Sequence, residues 1–96
     1  MTENQTKNKQ QTAPRPFISD YEMRQKALQA TLSMADNWAA SDDTIHHAIK
    51  SYKDVIAAFP ESDEAARARE ALLDIAAKWN KEGRTYSAAL LYKELL

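Results

Sequence analysis

Residues 48–92 of this 96-residue chain read AIKSYKDVIAAFPESDEAARAREALLDIAAKWNKEGRTYSAALLY. Apolar residues recur in this stretch every three or four positions, which is the spacing of one face of an α-helix. Phe59-Pro60 interrupts the pattern, because proline has no backbone N–H and disfavours helical geometry in the residue before it. Gly83 interrupts it again and is typical of a helix C-terminus. The stretch therefore predicts the second helix of one helical hairpin followed by a complete second hairpin.

The composition of the whole chain favours one helical domain. There are only one Gly and three Pro, whereas a sheet needs turn residues every few positions. The formal net charge of -1 provides no overall field that would attract nucleic acid or an anionic membrane. The absence of cysteine excludes disulfides and thiolate chemistry. No apolar run approaches the roughly 20 residues that span a bilayer, and the N-terminus lacks the apolar core of a secretory signal, so a cytoplasmic protein is expected.

Residues 1–16, MTENQTKNKQQTAPRP, form a polar segment rich in amide side chains. Burial of its few apolar atoms cannot offset the entropy lost on ordering, so we predict a disordered tail when the protein is alone. Two interpretations stay open, an inert tail and an arm that becomes ordered along a partner. The folded domain is predicted to occupy residues 17–96.

Local start and stop signals predict four helices. Ser19 and Glu22 have the spacing of a capping box, in which the serine side chain satisfies a backbone N–H of the first turn. The expected N-terminal caps are Ser19, a residue of the turn 41–44, Ser62 and Thr85. The expected ends of the first three helices lie near Ala40, Phe59 and Glu82, the last followed by Gly83 in the left-handed conformation.

The first helix carries two apolar stripes about 100° apart. One stripe consists of Tyr21, Leu28, Leu32, Ala35 and Ala39. The second consists of Met23, Ala27, Met34 and Trp38. A helix with two such stripes is expected to pack against two neighbours. Either both neighbours lie within this chain, or the methionine-rich stripe packs against another protein, a surface to which methionine adapts well.

The two hairpins align at a spacing of forty residues, with Ala48 matching Ala88 and Tyr52 matching Tyr92. This pattern resembles the tetratricopeptide repeat, and especially its longer-period type in bacterial envelope assembly proteins. The residues that carry the resemblance are Leu72, Ala76, Trp79, Gly83, Ala88, Tyr92 and Leu95, with Phe59-Pro60 closing the preceding repeat. Asp36 stands where that family usually has a small residue.

The resemblance implies an all-α stack of four antiparallel helices, arranged as two helix-turn-helix repeats without enzyme activity. Such repeats bind peptides or folded proteins on a concave face formed by the first helix of each pair. On that face the resemblance places Ser33, Asn37, Glu70, Leu73, Ala77, Asn80 and Lys81.

The last helix is expected to have more apolar residues than it can bury. Its inward side should bury Ala88, Leu91, Tyr92 and Leu95. Three further apolar residues, Tyr86, Leu90 and Leu96, are then left uncovered. Because a repeat unit cannot bury its own apolar face and about three units are usually needed, we expect a partner or a second copy to pack there.

Patterns typical of catalysis, a cofactor or a metal site do not stand out in the sequence. His46 and His47 are adjacent, so on a helix they point about 100° apart and cannot share one metal as an i, i+4 pair would. Glu61, Asp63 and Glu64 cluster at a helix start, where the helix dipole accounts for them.

These observations predict a non-catalytic adaptor or scaffold that assembles a larger protein complex. Its expected partner is another protein or a second copy, and no cofactor, metal, small-molecule substrate, nucleic acid or membrane is expected. One alternative is a structural accessory subunit of a multi-subunit enzyme. Another is a helical domain that binds nucleic acid through its cationic tail, where phosphate contacts would make binding depend on salt.

Overall fold

The computed structural model describes residues 19–96, whose secondary structure consists of α-helices joined by turns. The helices are α1 (Asp20–Ala39), α2 (Ile45–Ala58), α3 (Asp63–Lys81) and α4 (Thr85–Glu94). The predicted tail, residues 1–16, and the first two residues of the predicted domain lie outside this range. Within it, the helices are all too short or too polar to cross a membrane.

The four helices pack as two hairpins, α1 with α2 and α3 with α4. The hairpins are joined because α3 also packs against α2 and, less extensively, against α1, whereas the backbone of α4 lies close to α3 and α4 meets α2 through side chains such as the Lys53–Glu94 ion pair. The molecule is therefore an open stack and not a closed four-helix bundle. The predicted all-α stack of two helical hairpins is confirmed.

Local hydrogen bonds explain why α1 and α3 begin where they do. The Ser19 hydroxyl accepts the Glu22 N–H at 3.1 Å, and the Ser62 hydroxyl accepts the Ala65 N–H at 3.0 Å. Each serine satisfies one of the N–H groups that the first helical turn leaves without a backbone partner. Both predicted caps are confirmed.

The turn between α3 and α4 is built around Gly83. Its φ angle is +90°, in the left-handed region that favours glycine. The Gly83 N–H donates to the Asn80 carbonyl at 3.2 Å, and the Arg84 N–H donates to the Trp79 carbonyl at 2.8 Å. These two bonds form the Schellman pattern and end α3 as predicted.

The prediction that Thr85 caps α4 is wrong. Thr85 is the first residue of α4, the cap position belongs to Arg84, and its side chain makes no cap hydrogen bond. The physical reason is the tightness of the preceding turn. Gly83 and Arg84 are both bonded back to α3, so α4 starts one residue earlier than a threonine cap would require.

One continuous apolar core runs through both hairpins. Its buried side chains are Leu28, Leu32, Ala35, Ile45, Ala48, Tyr52, Val55, Ala68, Leu72, Ile75, Ala76, Trp79, Ala88 and Leu91. The alanines of this set are essentially inaccessible to solvent. Small side chains at those positions let the helix axes approach closely, and Trp79, Tyr52 and Leu72 fill the wider gaps.

The two stripes predicted on α1 have different outcomes. Leu28 and Leu32 of the first stripe are buried, although Tyr21 at its start is exposed. In the second stripe, Met23 and Met34 are exposed, so no neighbour within residues 19–96 covers them. The reason is the position of α1 at the end of the stack, where α2 and α3 pack on the leucine side. Both helices that pack on α1 within residues 19–96 belong to this chain, and Trp38 of the second stripe packs partly against the core, but the two methionines of that stripe stay uncovered.

Candidate protein-binding surfaces

The predicted concave surface, which we call the groove face, consists of exposed residues on two helices. It comprises Ser33 and Asn37 of α1 and Glu70, Leu73, Ala77, Asn80 and Lys81 of α3. Ser33 and Leu73 occupy equivalent positions of the two hairpins, as do Asn37 and Ala77. The structure therefore leaves every predicted groove residue accessible, on helices that pack against each other.

A second exposed surface, the outer face of α4, carries Tyr86 and Leu90 one helical turn apart. Tyr86 is 77% exposed and Leu90 is 44% exposed, as predicted for side chains without cover. Their equivalents on α2 are His46 and Lys50, which are also exposed. The hairpin fold accepts polar residues at these two positions, so packing within the chain does not require apolar ones.

The end of the second hairpin is exposed where the first hairpin is covered. Along α2, Tyr52 is buried and Ile49 and Ile56 are partly buried. Their equivalents forty residues later are all exposed, namely Ala89, Tyr92 and Leu96. The prediction that α4 buries Ala88 and Leu91 is confirmed, and Leu95 packs partly against the core.

The prediction that Tyr92 is buried is wrong, because Tyr92 is 40% exposed. The cause is architectural. Tyr52 lies where α3 packs on α2, and within residues 19–96 no helix packs on α4 in the corresponding way.

An apolar cleft of about 510 Å³ lies where α2, α3 and α4 meet. Its apolar lining consists of Ile56, Ala57, Leu72, Leu91, Leu95 and Leu96. The charged groups at its rim have partners within the chain, since Lys53 pairs with Glu94 at 2.6 Å and Arg69 donates to the Pro60 carbonyl at 3.1 Å. The lining of the cleft is therefore suited to apolar side chains.

A polar network at the joint between the hairpins was missed by the sequence analysis. The Tyr52 hydroxyl donates to one oxygen of the Asp36 carboxylate, and Arg67 contacts the other at 3.3 Å. The network connects α1, α2 and α3 through side chains far apart in sequence. Its one signal in the sequence is Asp36, a carboxylate at a position where a small residue was expected.

The joint also perturbs the ionisation of Tyr52. Burial, reinforced by the neighbouring Asp36 carboxylate, raises the pKa of the Tyr52 phenol above its ordinary value, and Arg67 opposes that change. The phenol, which is protonated at neutral pH even at its ordinary pKa, therefore remains the donor of the bond to Asp36 to a higher pH than an exposed tyrosine would.

The two histidines lie on the exposed side of α2. The ring of His47 lies 5.2 Å from the ring of Trp38, which it partly covers. In the part of the chain that the structure describes, no three His, Cys, Asp or Glu side chains are grouped so that they could hold a metal ion.

Comparisons with known proteins found no matching family model, curated protein or solved structure. The basis for assigning a function is therefore the set of surfaces described above.

Proposed function

We propose that this chain is a non-catalytic, tetratricopeptide-like interaction module, an adaptor or scaffold that holds a larger protein complex together in the cytoplasm. Its partner is another protein or a second copy, and binding requires no cofactor. The observation that supports this most strongly is a difference between the hairpins. On the groove face and the outer face, four exposed positions of the second hairpin have less polar residues than their equivalents in the first, whereas on α1 the exposed Met23 and Met34 correspond to Asp63 and Asp74.

Four pairs of equivalent residues show that difference. On the groove face, Ser33 and Asn37 of the first hairpin correspond to Leu73 and Ala77 of the second. On the outer face, His46 and Lys50 correspond to Tyr86 and Leu90. All eight side chains are exposed, so burial within residues 19–96 does not explain the apolar choice. Exposed apolar side chains that share a surface are typical of protein interaction sites.

The size of the fold supports the same proposal. Two hairpins form a small core, and repeat arrays usually need about three units before the end faces are adequately covered. A partner that covers the second hairpin would add the contacts that a third unit supplies in a longer array.

The test is purification of the native protein from its own source, with partners identified by mass spectrometry and their affinity measured by calorimetry. Leu73→Glu and Leu90→Glu introduce a charge on each apolar surface, and both positions are already half-exposed. We expect at least a tenfold loss of affinity in the double variant, since each charge must lose its water on binding. Lys50→Glu is the matched control, because it places the same residue at the first-hairpin position equivalent to Leu90.

The melting temperatures of the single variants, the double variant and the Lys50→Glu control should stay near that of the natural chain, which separates lost binding from lost folding. A native protein that elutes alone and monomeric would contradict the proposal. Equal binding by the natural chain and the Leu73→Glu/Leu90→Glu variant would contradict the assignment of these surfaces.

A further inference from the structure

The joint between the hairpins shows which polar contacts hold a helix, α3, against the first hairpin. Three polar contacts on α3 are distributed along its length. Gln29 donates to Glu64 at 3.5 Å, Asp36 pairs with Arg67 at 3.3 Å, and Asp42 pairs with Lys78 at 3.8 Å.

The second hairpin carries an equivalent of each first-hairpin partner, and two of the three equivalents differ in charge. Gln29 is replaced by Arg69, Asp36 by Ala76 and Asp42 by Glu82. A helix lying on the second hairpin as α3 lies on the first would therefore meet a base, then a neutral residue, then an acid. Complementary side chains on that helix are an acid, a neutral residue and a base.

We propose that the end surface of the second hairpin, defined by Arg69, Glu82, Ala89 and Tyr92, binds an α-helix of another protein. That helix has an acidic residue in its first turn and a basic residue about four turns later, with alanines on its contact face. The inference rests on the proposed function and specifies the chemistry of one partner surface. It continues across the second hairpin the interface that α3 makes with the first.

The groups on the end surface are free to make these contacts. Arg69 uses one guanidinium N–H on the Pro60 carbonyl, and a guanidinium has five donors. The Glu82 carboxylate lies 3.9 Å from Lys78 of its own chain, in an exposed pair that is weak and open to exchange. Tyr92 has no equivalent of Asp36 in reach of its position, because Ala76 stands there, so its hydroxyl can bond to the partner.

A second copy docking head to tail through α1 fits this surface poorly. In the same register α1 places Arg24 where α3 has Glu64, directly opposite Arg69. At the other end it places Trp38 where α3 has Lys78, opposite Glu82. Arg69 would then face another arginine in place of an acid, and Glu82 would face a tryptophan in place of a base.

A synthetic helix tests the proposal on the full chain. The probe peptide has the sequence of residues 62–82 with Arg67→Ala, and a lactam bridge on its solvent side keeps it helical, because an isolated helix lacks the tertiary packing that provides most helical stability in a protein. Binding is followed by amide chemical shifts of the isotope-labelled protein at peptide concentrations up to about 1 mM, the dissociation constant of a weak complex. We expect saturable shifts at Arg69, Ala89 and Tyr92 and little change at Ser33 or Asn37.

The control peptide has the sequence of residues 19–40 with the same bridge, and we expect it not to bind. Arg69→Glu in the protein should weaken probe binding roughly twofold to fivefold for the lost pair, and further for the repulsion that replaces it. A probe with Glu64→Lys should then recover the affinity for the Arg69→Glu protein and bind the natural protein poorly.

Three results would overturn the proposal: no shifts with a helical probe, shifts confined to the groove face, or equal binding of the residue 19–40 peptide. Each of these leaves the native partner assay with Leu73→Glu intact, so failure here is distinguishable from failure of the adaptor function. Recovery of affinity by the paired charge reversal would establish the register of the helix.

Discussion

Tyr52 and Tyr92 occupy the same position in two hairpins that match at a spacing of forty residues, yet one is 2% exposed and the other 40%. Both follow a buried alanine by four residues, Ala48 and Ala88. The difference follows from the stacking, because α1, α2 and α3 meet at the first hairpin, where the Tyr52 hydroxyl bonds to Asp36 beside Arg67, and within residues 19–96 no helix packs on α4 in the same way. Burial at this position is therefore a property of the stack and not of the hairpin, and the first hairpin shows what a covered second hairpin would look like.

The outward positions show the opposite trend. Where the first hairpin has Ser33 and Lys50, the second has Leu73 and Leu90. At these positions the covered hairpin is polar and the uncovered hairpin is apolar, although the first hairpin exposes Met23 and Met34 elsewhere on α1. We interpret the contrast as a division of roles, in which the first hairpin stabilises the fold and the second meets the partner.

The largest effect expected from this comparison is on the two tyrosines. Tyr52→Ala should lower the free energy of unfolding by about 3–5 kcal/mol, because it leaves a cavity in the core and removes a hydrogen bond. Tyr92→Ala should cost less than about 1 kcal/mol, as expected for a side chain that is not enclosed. Urea denaturation of both variants measures the difference. Equal costs would mean that Tyr92 is enclosed in the free protein and would break the comparison.

The two turns inside the hairpins provide the next largest effect. Gly83→Ala should cost about 1–2 kcal/mol, because any residue with a Cβ is strained in the left-handed conformation. An added Cβ would meet no atom within 4 Å, so the cost should come from the backbone and not from a clash. Asp43→Ala, at the equivalent position of the first hairpin, should change stability little. Thermal unfolding of both variants is the measurement, and a neutral Gly83→Ala would contradict the strain argument.

The hydrogen bond from Tyr52 to Asp36 should contribute about 1 kcal/mol, measured as the stability difference between the natural chain and Tyr52→Phe. The pH dependence identifies its source. In the unfolded chain the phenol ionises near its ordinary pKa of about 10, whereas in the folded chain that pKa is raised.

Above pH 10 the unfolded state therefore binds fewer protons than the folded state, and the free energy of unfolding falls as pH rises. The Tyr52→Phe variant should show a shallower fall, since it lacks that phenol. Parallel curves for the two proteins in urea titrations from neutral to alkaline pH would show that Tyr52 does not titrate abnormally.

The smallest effect is expected for the ion pair beside that hydrogen bond. Arg67→Gln should cost about 0.5 kcal/mol or less, because Arg67 and Asp36 are both substantially exposed to water. The cost should shrink further at about 1 M salt, where screening acts within about 3 Å. Denaturation at low and high salt provides the check, and a salt-independent cost above about 2 kcal/mol would place the pair in the buried core.

Most of the helical framework could be predicted because its causes are local. Ser19 and Ser62 cap helices through N–H groups three residues away, and Gly83 ends α3 through carbonyls three and four residues before it. The wrong prediction for Thr85 also has a local cause, because the residue that caps α4 depends on how tightly the turn at Gly83 closes. When a prediction depends only on a few neighbouring residues, an error displaces the predicted helix end by about one residue.

Predictions about burial depended on distant parts of the chain. The methionines of α1 and the tyrosine of α4 have the helical spacing of core residues, but α1 and α4 stand at opposite ends of the stack. Spacing shows that a side chain belongs to an apolar stripe and does not show whether a neighbour covers that stripe. The groove and outer-face residues were correctly predicted to be exposed. The proposed partner contacts of Arg69 and Glu82, in contrast, could be inferred only from the contacts that Gln29 and Asp42 make with α3.

The sequence by itself determined the four helices, their order and the forty-residue correspondence between the hairpins, because apolar spacing, caps and turn residues act within a few positions. Only the tertiary structure decided which of two equivalent tyrosines is enclosed and that Asp36, Tyr52 and Arg67 form one network. The physical reason is that burial and side-chain pairing depend on which helix packs where, and α3 reaches the first hairpin through contacts between residues that lie far apart in the chain.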